Sequence, residues 1–152
     1  MPLEPFRPEV GLPIADLLRE HGWTEPQVTG QLEALAALVS AEDGLAVTAV
    51  EEGRPAGFVS VQIHRWNELA QIHGLAVRRD LLRRGYASRL LGAAEGFARE
   101  RGCRGIYVDT PADNKGGRAF YLARGFSEDY RMSRYYADDV DGVTYVKFFD
   151  SR

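Results

Sequence analysis

Leu75-Ala76-Val77-Arg78-Arg79-Asp80-Leu81-Leu82-Arg83-Arg84-Gly85-Tyr86-Ala87-Ser88 runs from an apolar strand through a basic loop into a helix start marked by a glycine and small residues. The first four N–H groups of a helix lack intrahelical partners, and the helix dipole favours negative charge beside them. Gly85 and Ala87 let an anion approach the backbone closely, and the arrangement suits a pyrophosphate. It is neither a P-loop, since no Gly-Lys-Ser/Thr follows, nor the dinucleotide Gly-x-Gly-x-x-Gly. A helix N-terminus that merely needs a tight turn is the plainer reading of this stretch alone.

Upstream, residues 1–13 carry four prolines and read as an extended segment, at most an edge strand. Ile14 to His21 is a short helix ending at Gly22, and Thr24 with Gln27 forms a capping box for the next one. That helix sets Val28, Leu32, Leu35 and Val39 in one apolar stripe. The period then changes: Leu45–Val50, Ala56–His64 and Leu69–Val77 read as an antiparallel meander, with a turn at Glu51-Glu52-Gly53-Arg54. Downstream, a helix from about Arg84 to Arg101 has Tyr86, Leu90, Ala94 and Phe97 as its core stripe. Gly105–Asp109 is a strand, Asn114 opens a short helix to Arg124, and Phe126–Tyr136 and Val143–Phe149 are strands around the acidic loop Asp138–Gly142. The order predicts an α+β fold with a mixed sheet, whose one parallel crossover spans residues 69–109.

A chain of 152 residues is one domain by size, with enough surface buried to need no staples. One cysteine, Cys103, excludes an internal disulfide framework. No apolar run approaches the ~20 residues of a membrane span, and Met1-Pro2-Leu3-Glu4 has no signal-peptide pattern, so a cytoplasmic protein without membrane partners is expected. The net charge of −3 argues against a nucleic-acid binder. It hides an asymmetry: residues 1–52 hold ten acids and two arginines, whereas residues 78–104 hold eight arginines and three acids. The basic block is either a solvated helix face or an anion site.

About 30 residues beyond the basic turn comes Asn114-Lys115-Gly116-Gly117-Arg118-Ala119-Phe120-Tyr121-Leu122-Ala123-Arg124-Gly125-Phe126. With both stretches in order, the chain resembles the GNAT superfamily of N-acetyltransferases over about residues 45–126. The resemblance lies in an apolar strand, a pyrophosphate turn, a second strand, then Asn, a Phe-Tyr pair and Gly-Phe. It departs at Leu82, where the family has Gln or Arg, so Arg83 or Arg84 is left to substitute. It implies a three-layer α/β/α sandwich with a mostly antiparallel sheet and a central strand–helix–strand unit that binds acetyl-CoA. Residues 1–152 would form one N-acetyltransferase domain: 1–44 the helical acceptor side, 45–126 the acetyl-CoA core, 127–152 a C-terminal β-hairpin.

The implied reaction moves an acetyl group from acetyl-CoA to a primary amine by direct attack, with no metal. An alkyl amine, with a free pKa of about 10.4, must lose a proton before it attacks, and the oxyanion needs N–H donors. For the oxyanion and the pantetheine arm the resemblance points to backbone groups of Leu75, Ala76 and Val77; otherwise these amides only pair with a neighbouring strand. For the pyrophosphate it points to Arg83, Arg84, Gly85, Tyr86, Ala87 and Ser88. Tyr121 would place its hydroxyl near the sulfur, or is a core tyrosine beside Phe120. Asn114 would bond the cofactor or cap its helix. Gly116-Gly117 marks close approach of the cofactor, or nothing. His73 lies two residues before Leu75, hence on the same strand face, and is chemically suited as the base, or is simply a packed or hydrogen-bonded strand residue; Glu68 and Asp109 are rivals, directly or through water. Cys103 has no part in direct transfer.

For the acceptor, Glu51, Glu52, Glu68 and the Asp138–Asp141 loop favour a cation, unless they only solubilise. Trp66-Asn67 and the aromatic C-terminal hairpin loosely resemble streptothricin-type antibiotic acetyltransferases. A small-molecule amine is expected, with a homodimer left open. The alternatives are a protein N-terminal or lysine acetyltransferase and a non-catalytic acyl-CoA-binding or interaction module.

Overall fold

A computed structural model of the chain describes residues 2–150. Its elements run β1 (Leu3–Pro5), α1 (Gly11–Glu20), α2 (Glu25–Val39), β2 (Gly44–Glu51), β3 (Arg54–His64), β4 (Leu69–Val77), α3 (Tyr86–Glu100), β5 (Gly105–Pro111), α4 (Lys115–Ala123), β6 (Ser127–Ala137) and β7 (Val140–Phe148). They build one seven-stranded sheet in the order β1-β2-β3-β4-β5-β7-β6, in which only β4 and β5 are parallel. One face of the sheet packs with α3 and Tyr121 of α4 around Val59, Val61, Ile72, Leu90 and Ile106. The other packs with α1 and α2 around Ile14, Leu18, Val28, Leu35 and Phe58. The result is the expected three-layer sandwich. No described helix is long and apolar enough to cross a membrane.

Several local expectations shift. α1 begins at Gly11, not Ile14, because Pro13 fits the first turn, where its missing N–H costs nothing. The Thr24 capping box is present in both directions, Thr24 N–H to Gln27 Oε1 at 2.9 Å and Gln27 N–H to Thr24 Oγ1 at 3.4 Å. The buried stripe of α2 is Val28, Gln31, Leu35 and Leu38, and Val39 lies on the surface. Gln31 displaces the apolar expectation because β4 has a polar group for it to meet. α3 starts at Tyr86, two residues later than expected, and buries Leu91 and Ala98 alongside Tyr86, Leu90 and Ala94. Phe97 sits at the margin under the Arg101 guanidinium, 4.7 Å from its ring centre. The acidic loop contracts to a two-residue turn, Asp138-Asp139, since Ala137 pairs with Val140 and β7 continues through Asp141 and Gly142.

Candidate active site

β4 pairs with β5 only from Leu69 to Ile72, against Gly105 to Val108. Beyond that point β4 follows β3 to Val77 and β5 follows β7 to Pro111. Two parallel strands thus part in the middle of the sheet and leave a fork.

A bulge on β4 helps set the fork. Val61 faces Ile72 and Ser60 faces Gly74, so His73 is an extra residue with no partner on β3. Gln31 Nε2 donates to the freed His73 carbonyl at 3.1 Å, and Gln31 Oε1 accepts from the Ser60 hydroxyl at 2.7 Å. Gly74 leaves room for this amide: a Cβ would stand 2.5 Å from Gln31 Nε2 and would force the side chain to shift. The extra residue also inverts the faces. Ile72, Leu75 and Val77 pack on the α3 side, while His73 turns to the other side and meets Gln62 Oε1 at 2.8 Å. The expectation that His73 and Leu75 share a face is therefore corrected, because the bulge turns an even step into an odd one.

The ladder decides which amides look into the fork. Arg78 N–H donates to the Ala56 carbonyl at 2.7 Å. Hydrogen-bonded pairs alternate along an antiparallel ladder, so Ala76 and Gly74 direct their polar groups to β3, and Leu75 and Val77 direct theirs to the fork. His21, at the end of α1, donates from Nε2 to the Val77 carbonyl at 2.6 Å. The N–H groups of Leu75 and Val77 and the carbonyl of Leu75 remain for a ligand, and Ala76 contributes no backbone group there.

From Val77 the chain enters the basic turn. Arg83 (φ 63°) and Gly85 (φ 91°) both take left-handed backbone. No side chain caps α3, so the amides of Tyr86, Ala87 and Ser88 lie at an unneutralised positive helix end. Four of the eight nearby arginines serve structure: Arg78 pairs with Asp80, Arg99 lies over Phe149, and Arg101 and Arg104 hold the carbonyls of Glu42 and Asn67. Arg83, Arg84 and Arg89 are exposed and have no partner among the described residues. Sequence reading missed a further cation, Arg124, whose only signal is an arginine just before the helix-ending Gly125. Its guanidinium lies 4.3 Å from the Phe120 ring centre and donates from Nε to Ser88 Oγ at 3.0 Å, adding charge at the first turn of α3.

Tyr121 enters the α3-side core from α4. Its ring meets Phe120 and Phe126 edge-on at 5.2 and 5.3 Å and stacks on Tyr145 at 6.2 Å. The side chain is 5% exposed and its hydroxyl has no protein partner. No buried side-chain polar atom among the described residues lacks a partner, so that small exposed remainder includes the hydroxyl. Burial pushes its pKa well above the ordinary tyrosine value and keeps it protonated. Asn114 caps α4, accepting from Gly117 N–H at 3.0 Å while Nδ2 donates to Thr110 Oγ1 at 3.3 Å. Gly117 is thereby explained: a Cβ there would stand 2.5 Å from the Asn114 amide, whereas Gly116 faces open space.

His73 and Asp109 are the first residues of β4 and β5 beyond their last pair, on opposite prongs of the fork. Burial pushes the His73 imidazole below its ordinary pKa, His64 adds to this, and Asp109 opposes it. With Gln62 presenting an oxygen to Nε2, the neutral ring keeps its lone pair on Nδ1. Glu68, exposed like His73, lies at the far start of β4, seven residues or roughly 20 Å from Leu75, so His73 and Asp109 stand nearer the fork. Cys103 is buried beside the same end, with its thiol pushed up by burial. Among the described residues, no three His, Cys, Asp or Glu side chains cluster as metal ligands.

Comparison with known proteins matches residues 14–126 to the model of the acetyltransferase (GNAT) family. An uncharacterized N-acetyltransferase of Methanocaldococcus jannaschii is 36% identical over 93 residues, covering 57% of this chain and 40% of that protein. N-alpha-acetyltransferase 30 of Schizosaccharomyces pombe is 30% identical over 87 residues, covering 57% of this chain and 58% of its own. The chain thus spans about half the length of these curated relatives. Among solved structures, a Desulfovibrio desulfuricans protein assigned to the GNAT family superposes with a TM-score of 0.85 at 19% identity, covering 97% and 98% of the two chains. The aminoglycoside 6'-N-acetyltransferase of Enterococcus faecium gives 0.79 at 19%, covering 100% and 99%. A Bacillus anthracis protein described as a streptothricin acetyltransferase, solved with acetyl coenzyme A, gives 0.70 at 22%, covering 76% and 68%. At these identities the structures bear on the fold alone.

Proposed function

The chain belongs to the acetyltransferase (GNAT) family, and from that premise we propose that it transfers the acetyl group of acetyl-CoA directly to the primary amine of a small molecule. The observation that carries this reading is the fork between β4 and β5, where free Leu75 and Val77 amides lead straight into the uncapped start of α3. A pantetheine arm is a chain of amides and completes a split sheet by hydrogen bonding to its free edge. A pyrophosphate is a double anion, and the left-handed Arg83 and Gly85, the open amides and the unpaired Arg83, Arg84 and Arg89 suit it.

The chemistry follows from what remains. His73 Nδ1 takes a proton from the acceptor ammonium, directly or through water. The amine nitrogen bonds to the thioester carbon, and the oxygen of that carbon gains charge beside the Leu75 N–H. The carbon–sulfur bond breaks, Tyr121 donates its proton to the departing sulfur, and the second proton that the nitrogen sheds on becoming an amide returns to the Tyr121 oxygen. The raised Tyr121 pKa keeps the donor charged with its proton at neutral pH. Asn114 acts by fixing the start of α4, which carries Tyr121.

Two expected results test this. Saturating CoA, at about 100 times its dissociation constant, stabilises the fold by about 2.7 kcal/mol and raises the melting temperature by roughly 5–10 °C, while NADH leaves it unchanged. Free-thiol release from acetyl-CoA in the presence of an amine panel identifies turnover; CoA binding without release on any amine would leave a non-catalytic binding module. The second result concerns pH. A base must be neutral to act, and His73 titrates below the ordinary imidazole value of about 6.5, so the acidic limb of kcat/KM lies below that pH. His73→Gln flattens the limb. Asp109→Asn moves it lower still, because the carboxylate that opposes the shift is gone. A limb unchanged in His73→Gln assigns the proton to another acceptor.

A further inference from the structure

The end of α1 reaches the exit of β4 from the opposite layer. α1 closes on a double backbone cap: Gly22 (φ 84°) donates its N–H to the Arg19 carbonyl at 2.9 Å, and Trp23 donates to the Leu18 carbonyl at 3.1 Å. Leu18 is fully buried and Trp23 packs against the same cluster, which fixes the cap. Glu20 and His21 therefore extend from a rigid backbone. His21 Nε2 donates to the Val77 carbonyl at 2.6 Å, and Glu20 Oε2 accepts from the Arg79 N–H at 3.2 Å. These two bonds complete a set. The peptide joining Val77 to Arg78 has its carbonyl held by His21 and its N–H held by the Ala56 carbonyl at 2.7 Å. The next peptide, Arg78 to Arg79, has its N–H held by Glu20 and its carbonyl held by the Leu81 N–H at 3.0 Å. Every polar group of the two peptides that lead out of β4 is thus bonded, and α1 supplies half of the partners.

We propose that Glu20 and His21 are positioning residues for the donor site, locking the exit of β4 so that the strand edge and the start of α3 face one ligand at a fixed angle. The proposal rests on the transfer reading and deepens it: the first helix, expected on the acceptor side, also shapes the donor site. The two locked peptides stand between the free N–H groups of Leu75 and Val77 and the turn that leads to the open amides of α3. A ligand that spans both parts, a pantetheine arm joined to a pyrophosphate, binds the second part with the effective concentration that the first provides. That gain exists only while the two parts keep the angle the ligand needs. A ligand that reaches the strand edge alone draws nothing from it. Each side chain acts through a backbone group of the junction, His21 through the Val77 carbonyl and Glu20 through the Arg79 N–H.

The test combines NMR titrations with CoA and with pantetheine and amide hydrogen exchange of the CoA-free chain. His21→Ala is expected to weaken CoA at least about tenfold and pantetheine by less than about twofold. His21→Gln keeps an N–H donor at similar reach and is expected to restore most of the CoA affinity. Glu20→Ala is expected to speed exchange of the Arg79 amide at least about tenfold, while Val59 and Val61 in the middle of β3 exchange as in the wild type. Asp16→Asn, an exposed change on the same helix, leaves both readouts unchanged. Unchanged CoA binding in His21→Ala overturns the proposal, as does an equal loss of CoA and pantetheine. So does Arg79 exchange that stays at the wild-type rate in Glu20→Ala. Should His21→Ala not fold, Glu20→Ala carries the same pair of titrations with the same expected and overturning results, because Glu20 is exposed. If the wild-type chain binds no CoA, the transfer reading falls, while the exchange rates still decide whether the two side chains lock the junction.

Discussion

Tyr121→Phe is expected to lower kcat about 10²-fold while leaving CoA affinity and the melting temperature close to wild type. The substitution removes one oxygen and keeps the ring that meets Phe120, Phe126 and Tyr145. The hydroxyl has no protein partner to orphan, so the fold loses no hydrogen bond. What is lost is the proton donor to sulfur. General acid catalysis is worth roughly 10²- to 10⁴-fold. A thiol with a pKa near about 8.5 leaves tolerably unassisted, which sets the expectation at the low end. The effect belongs on kcat because the hydroxyl acts as the bond to sulfur breaks. Steady-state kinetics with a melting curve read both quantities. Near-wild-type turnover in a stable variant would reduce Tyr121 to a core residue, and a fall in melting temperature would reveal a hidden structural partner.

A pair of proline substitutions separates the two edges of β4. Leu75→Pro removes an N–H that looks into the fork and takes nothing from the β3 ladder. It is expected to cost 10²- to 10³-fold in kcat, the range for losing one oxyanion donor. Ala76→Pro removes an N–H that pairs with β3 and is expected to act on stability instead, because proline inside a paired strand breaks a ladder bond. The readout is the contrast between the two: kinetic loss with a retained fold at position 75, loss of fold at position 76. If both variants unfold, or if Leu75→Pro turns over normally, the assignment of amides to the fork is wrong.

Much of this architecture was legible because its signals are local. β4 was bounded at Leu69 and Val77 by alternation between two turns, and its bounds hold to the residue. The capping box at Thr24 and the glycine stops at Gly22, Gly102 and Gly125, all with positive φ, needed no tertiary information. Most of the departures depend on partners distant in sequence. His73 and Leu75 look alike to a period of two, and only the register against Ser60 and Val61 reveals the extra residue. Gln31 breaks an apolar stripe because β4, 42 residues away, exposes a carbonyl to it. Gly142 reads as a turn glycine but sits in a strand, its missing side chain making space for Tyr135. The start of α3 differs for a local reason: two left-handed residues, Arg83 and Gly85, delay the helix past an arginine pair that favours it. For the site, the order of motifs pointed to the turn and to Tyr121, whereas Arg124 acquires its place only through packing.

The break in the β6 ladder between Met132 and Ala137 has a consequence for engineering the chain. Residues 133–136 stand outside the ladder at the sheet's last strand, and every residue of β6 but Tyr136 is exposed. Exposed substitutions away from special features usually change stability by less than about 0.5 kcal/mol. The elements that hold acetyl-CoA in the proposed reading, β4 and α3, lie on the other side of β5 and β7. Changes on β6 are thus separated by two strands from β4, which holds the donor in that reading. A combinatorial library at Ser133 and Tyr135, with Tyr136, Asp141 and Gly142 kept fixed, samples this edge of the sheet at little expected cost in stability.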